Sequence, residues 1–187
     1  MEGTDKSRLE REHDVLGLRG NTVRVSPYSS EWPRLFLEER ERLDRCIGEY
    51  VLDIQHVGST SIPGMAAKPI LDIAIAVENF EEAARCVQPI EQLGYQYRGE
   101  NGIPRRHYFT KGDPRTHHLH MVELHSENWA ITICFRDQLR QRADLAQEYA
   151  ALKLCLAEQF PTDRTAYQDG KADFIQRVLQ QAREGRG

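Results

Sequence analysis

Hydrophobic residues along this chain keep two different spacings, and the change between them organises it. From Ser30 onward Trp32, Leu35, Phe36, Leu43, Cys46 and Ile47 recur at helical intervals, with Pro33 tolerated in a first turn. Ahead of them TVRVS reads as a short strand with Val23 and Val25 on one face. YVLDIQHVG alternates as a strand and stops at Gly58, and PILDIAIAV is a second strand beyond a turn containing Pro63 and Gly64. Asn79 with Glu82 forms a capping box, and Phe80, Ala83, Ala84, Val87 and Ile90 make the stripe of a helix ending at Gly94. YQYRGE and RRHYFTK predict a hairpin, followed by the strand HHLHMVEL. After Ser126 the alternation disappears. ENWAITICFRDQLRQ, ADLAQEYAALKLCLAEQF and TAYQDGKADFIQRVLQQARE all read as helices. The mixture predicts an α+β (mixed α/β) domain over residues 22–184, behind a polar, flexible tail over residues 1–21.

Composition narrows the class. A chain of 187 residues forms one domain with a core that needs neither disulfide nor metal clip. Its net charge of −4 gives no basis for strong binding to bulk nucleic acid. Cys46, Cys86, Cys134 and Cys155 are far apart and form no C-x-x-C pair, which predicts reduced core residues in a cytoplasmic protein. The N-terminus is densely charged where a signal peptide is apolar, and no run reaches membrane-spanning length.

The stretch HVGSTSIPGMAAKPILDI concentrates the candidate chemistry. Gly58 lets the backbone turn closely, and Ser59 and Thr60 present hydroxyls and N–H groups to a phosphate, with Lys68 adding charge. The plainer alternative is a turn that these hydroxyls merely cap. Strand alternation puts Asp72 on one face with Ala74 and Ala76, opposite the apolar Leu71, Ile73, Ile75 and Val77. A carboxylate beside two small residues leaves room for a metal or ligand, although a nearby Arg or Lys would also satisfy it. His118 and His120 share a strand face opposite His117 and offer two imidazoles to an ion or phosphate, or simply pack, while Glu123 falls on the other face. Arg105 and Arg106 occupy a loop, and Arg136 is expected to open a helix beside Asp137. Tyr149 with Lys153 and Tyr167 with Lys171 repeat a four-residue spacing, as solvated helix faces or as the wall of an anion pocket.

These motifs, in this order, resemble the GrpB family, with a match running from Val23 to Ala182. HVGSTSIPGMAAKPILDI, RTHHLHMVE, FRDQLR and the two Y-x-x-x-K pairs carry it. The resemblance implies a minimal nucleotidyltransferase-like sheet flanked by helices, in a family also found fused to dephospho-CoA kinase. By that analogy Gly58 and Ser59 correspond to the phosphate turn and Asp72 to the first acid of a metal-binding pair. Ala74 stands where the second acid belongs. His118 and His120 occupy the place of a third acid; the implied divalent ion is magnesium or manganese, with zinc also open because imidazoles favour zinc, manganese or nickel over magnesium.

Two functions follow as expectations. One is metal-dependent transfer of a nucleotidyl group from a nucleoside triphosphate to an acceptor. Asp72 and His120 are then catalytic, Asp72, His118 and His120 hold the ion, Gly58, Ser59, Thr60 and Lys68 hold phosphate, and Arg136, Tyr149, Lys153 and Lys171 line the substrate pocket. The other is a non-catalytic module for a nucleotide or CoA-like ligand, which Ala74 favours. Metal-assisted phosphoester hydrolysis at the histidine-rich face is a third, plainer possibility.

Overall fold

A computed structural model describes residues 15–20 and 22–185. Helix α1 (Glu31–Ile47) buries Trp32, Leu35, Phe36, Leu43 and Ile47, the stripe expected from its spacing. Strand β1 (Asp53–Val57) follows a 3₁₀ turn, and a second 3₁₀ turn at Ser59–Ser61 leads towards β2 (Leu71–Val77). Asn79 Oδ1 caps the next segment by accepting from the Glu82 N–H at 3.0 Å. That segment begins as 3₁₀ (Glu82–Cys86) before becoming α2 (Val87–Gln92). The hairpin is β3 (Tyr95–Tyr97) with β4 (His107–Lys111), and β5 is His117–Glu123.

The five strands form one mixed sheet in the order β1-β2-β5-β4-β3, in which only β2 and β5 run parallel. One face carries Leu71, Ile73, Ile75 and Val77 with Phe109, Leu119 and Met121, and these pack with α1 in the main core. Val57, Ala74, Ala76 and Val122, on the opposite face, meet Trp129. This second face bears Asp72, His118 and His120, and the C-terminal helices cover it in part.

Those helices are α3 (Glu127–Gln141), α4 (Ala143–Gln159), α5 (Arg164–Asp169) and α6 (Ala172–Glu184). Ser126 caps α3 by accepting from the Trp129 N–H at 3.2 Å. The last apolar pattern is two helices rather than one. At the break, Gly170 comes so close to α4 that a Cβ there would lie 2.5 Å from Leu156 Cδ2.

TVRVS is not a strand of the sheet. Its pairing is a single bridge between Ser26 and Ala67, and Val23 is buried with Leu156 and Tyr167. Of the two alternating valines Val23 packs against helices and Val25 is only half-buried, so the alternation does not mark a strand face here. Of the tail expected over residues 1–21, residues 1–14 and 21 lie outside the described residues, whereas Leu16 and Leu18 are buried. The four cysteines are free, but only Cys86 is buried: Cys46 and Cys134 are half-buried and Cys155 is exposed, off the stripe of Leu145, Tyr149, Lys153 and Leu156 that α4 turns inward. Among the described residues no helix is long and apolar enough to cross a membrane.

Candidate functional site

Register assembles the site. The parallel pairing of β2 with β5 sets Asp72 beside His118 and Ala74 beside His120, and the next strand adds Thr110 and Tyr108 to those rows. His118 Nδ1 donates to Asp72 Oδ1 at 2.9 Å, and His120 Nε2 stands 3.8 Å from the same oxygen. Burial pushes the Asp72 carboxyl up, but the hydrogen bonds from His118 and His120 outweigh it and hold the group far below the usual carboxylate range. Asp72 is therefore an anion, and its side chain retains 30% exposure.

Two cavities meet at this carboxylate. A larger one of about 310 Å³ is walled by Val57, Ala74, Val122, Trp129 and Phe135, with Gly58, Arg106 and His120 around it. A smaller one of about 120 Å³ is polar and contains Lys68, His118, Arg164 and Tyr167. Ser59 and Asp72 border both.

Lys68 and Arg164 line the smaller cavity, and Lys171 approaches the Tyr167 ring that also lines it. Lys68 Nζ lies 3.9 Å from the centre of the Tyr167 ring and Lys171 Nζ 4.6 Å from it. Burial, then repulsion from Lys171 and Arg164, pushes the Lys68 ammonium down to about 7. Lys171 is lowered too, first by burial and with Asp72 opposing the shift. Among the described residues none of Lys68, Lys171 and Arg164 has a carboxylate within ion-pair distance. Arg164 was missed by sequence reasoning although it lies three residues before Tyr167, because nothing in its spacing shows that it borders the same cavity as Lys68.

Of the other expected residues, Thr60 borders the smaller cavity and Arg136 and Tyr149 the larger one, whereas Lys153 borders neither. Thr60 is buried, its hydroxyl 3.0 Å from His56 Nε2 and donating to the Ile70 carbonyl at 3.4 Å. Burial holds His56 neutral, down to about 4, so its Nε2–H donates to Thr60. Arg136 lies well inside α3 instead of opening a helix. It is buried and bonds Asp137, the Gln55 side chain and the His56 carbonyl, tying α3 to β1. Lys153 is buried with its Nζ donating to the Ala66 carbonyl at 2.6 Å, and burial lowers its pKa to about 7. Tyr149 lines the larger cavity with Ser59, and burial pushes its phenol pKa up.

The imidazoles do not fit a shared divalent ion. Arg106 Nη1 donates to His120 Nδ1 at 3.3 Å, so the proton of the neutral ring is on Nε2, the nitrogen that faces Asp72. Coordination through Nε2 would require a proton on Nδ1, where it would oppose the guanidinium. His118 gives its Nδ1 proton to Asp72, so its Nε2 keeps a lone pair, but that nitrogen is buried on the ring edge away from the Asp72 carboxylate and shares no ion with it. Among the described residues no group of three or more His, Cys, Asp and Glu is arranged to hold a metal. Arg106 had been visible only as a loop residue, because nothing in the spacing signals a guanidinium behind His120.

Comparisons with known proteins follow the same outline. The family described as GrpB protein matches residues 22–181. The chain is 41% identical over 162 residues to UPF0157 protein YqkA of Bacillus subtilis, covering 86% of this chain but spanning about half of the relative, 47%. It is 35% identical over 171 residues to the glutamate-rich protein GrpB of Alkalihalophilus pseudofirmus, with 88% of this chain and 98% of that one covered. A crystal structure of conserved protein GrpB from Enterococcus faecalis superposes with a TM-score of 0.79 at 35% identity, over 85% of this chain and 96% of the other. A dephospho-CoA kinase of Mycolicibacterium paratuberculosis contains a similar stretch, 28% identical over 171 residues, in 42% of its length. The likeness to the Cid1 poly(U) polymerase is loose, with a TM-score of 0.41 at 12% identity, and says nothing of activity.

Proposed function

The chain belongs to the GrpB protein family, and for this member we propose that the cleft binds a phosphorylated small molecule of nucleotide or CoA type. Its phosphate lies against Lys68, Lys171 and Arg164, and its apolar body in the cavity beside Trp129. Lys68 and Lys171 at the Tyr167 ring, with Arg164 lining the same cavity and none of the three having a carboxylate partner among the described residues, carry this reading. Half-buried cations that repel one another oppose folding, and a bound anion turns that repulsion into attraction. The adjoining apolar cavity supports a ligand with a body, since Ser59 and Asp72 border both spaces. In this reading the protein acts in the cytoplasm, where such ligands occur and thiols remain free.

The test is the melting temperature with ATP, CoA and pyrophosphate in EDTA, then with magnesium, manganese or zinc. A ligand at one hundred times its Kd stabilises by about 2.7 kcal/mol, a shift of several degrees for a domain of this size. Stabilisation in EDTA that disappears in Lys68→Met/Lys171→Met is expected. Unchanged melting with every compound, and no heat on titration, refutes the reading. Nucleotidyl transfer to an acceptor is a second reading, supported by an ionised Asp72 where the two cavities meet, and its test is release of pyrophosphate from a nucleoside triphosphate.

A further inference from the structure

Asp72 presents two oxygens with different surroundings. Oδ1 receives the His118 N–H and faces His120. Oδ2 packs against the backbone of Gly58, and among the described residues nothing donates to it. Asp72 thus brings a carboxylate with one donor-free oxygen to the junction of a cationic cavity and an apolar one. A ligand occupying both passes this oxygen between its phosphate and its body, and the group it places there must be a donor. An ammonium is disfavoured because Lys68 and Lys171 already feel the Asp72 charge and would repel a further cation. A neutral hydroxyl satisfies the oxygen without adding charge.

We propose that Asp72 Oδ2 accepts a hydrogen bond from a ligand hydroxyl, so that the ligand is a phosphate ester or anhydride of a hydroxylated compound with an apolar or planar body. A nucleoside 5′-phosphate has this order of groups: phosphate, sugar hydroxyls, base. The inference rests on the phosphate reading above and gives Asp72 a specific part in it, the recognition of a sugar hydroxyl through a charge-assisted hydrogen bond. It also explains a lone acid beside Ala74, because one carboxylate suffices to read a hydroxyl.

Calorimetric titration in EDTA with ATP, 2′,3′-dideoxy-ATP and pyrophosphate tests it on wild type and Asp72→Asn. Wild type should bind ATP at least about tenfold more tightly than the dideoxy compound, the lower range for a hydrogen bond to a charged group. In Asp72→Asn the difference should collapse, while pyrophosphate binds as well or better once the negative charge is gone. Equal affinity of wild type for ATP and dideoxy-ATP overturns the hydroxyl inference and leaves the phosphate reading intact. Binding of pyrophosphate without either nucleotide does the same. If none of the three binds, the phosphate reading falls and this inference with it. The wild-type comparison decides the matter even if Asp72→Asn folds poorly.

Discussion

Gly58 and Asp72 are in contact across the end of the β1–β2 pair: a Cβ on Gly58 would stand 2.4 Å from Asp72 Oδ2 and 2.9 Å from its Cβ. Gly58 also adopts φ 66° and ψ −174°, a conformation almost confined to glycine. The glycine that ends the HVGST turn thus sets where the carboxylate lies.

Gly58→Ala is expected to lower the melting temperature by several degrees, since the backbone alone costs about 1–3 kcal/mol. Phosphorylated-ligand affinity should fall as well, because Asp72 and Ser59 must move. Thermal unfolding and calorimetry measure the two effects. A variant with unchanged melting would show that this close contact imposes no constraint.

The lysines set the pH dependence of the ligand-free protein. Lys68 titrates at about 7 in the fold against its usual 10.5, and Lys153 also falls to about 7, both first through burial. Between about pH 7 and pH 10 the unfolded chain therefore binds more protons than the folded one, and stability rises with pH through that window. Lys68→Met should raise the melting temperature near neutral pH and remove part of the slope. Phosphate affinity should move the other way, weakening above about pH 7 as Lys68 loses its proton. Melting curves and titrations across this range check both directions.

Lys153 is expected to contribute nothing to anion binding, as its Nζ is engaged by the Ala66 carbonyl. Lys153→Met trades one hydrogen bond for relief of a buried amine, so stability should change by no more than about 1–3 kcal/mol. Pyrophosphate affinity should stay at the wild-type level, whereas Lys171→Met should reduce it. Loss of affinity in Lys153→Met would return this residue to the pocket wall.

Arg106 is expected to determine the His120 tautomer. Nitrogen-15 spectra of wild type should show the proton on Nε2, and zinc titration should give no heat from this imidazole. In Arg106→Leu the Nδ1 nitrogen is released and either tautomer becomes accessible, so zinc affinity should rise. A wild-type spectrum with the proton on Nδ1 would restore His120 as a metal ligand.

The local pattern alone was enough to identify α1, the four longer strands and the cap at Asn79, because each depends on spacing between near neighbours. It also determined that Asp72 shares a face with Ala74 and lies opposite a fully apolar stripe, since a strand has a period of two. Which strand lies beside β2 was beyond its reach. The parallel register that brings His118 to within 2.9 Å of Asp72 joins residues 46 positions apart, and such a contact leaves no periodic trace. The same holds for Lys68 over the Tyr167 ring, for Arg106 behind His120, and for the carbonyl that engages Lys153. Residue type and spacing determine what a side chain is able to do. Whether its donors and charges are satisfied by the protein or left for a ligand depends on neighbours that only the folded chain supplies.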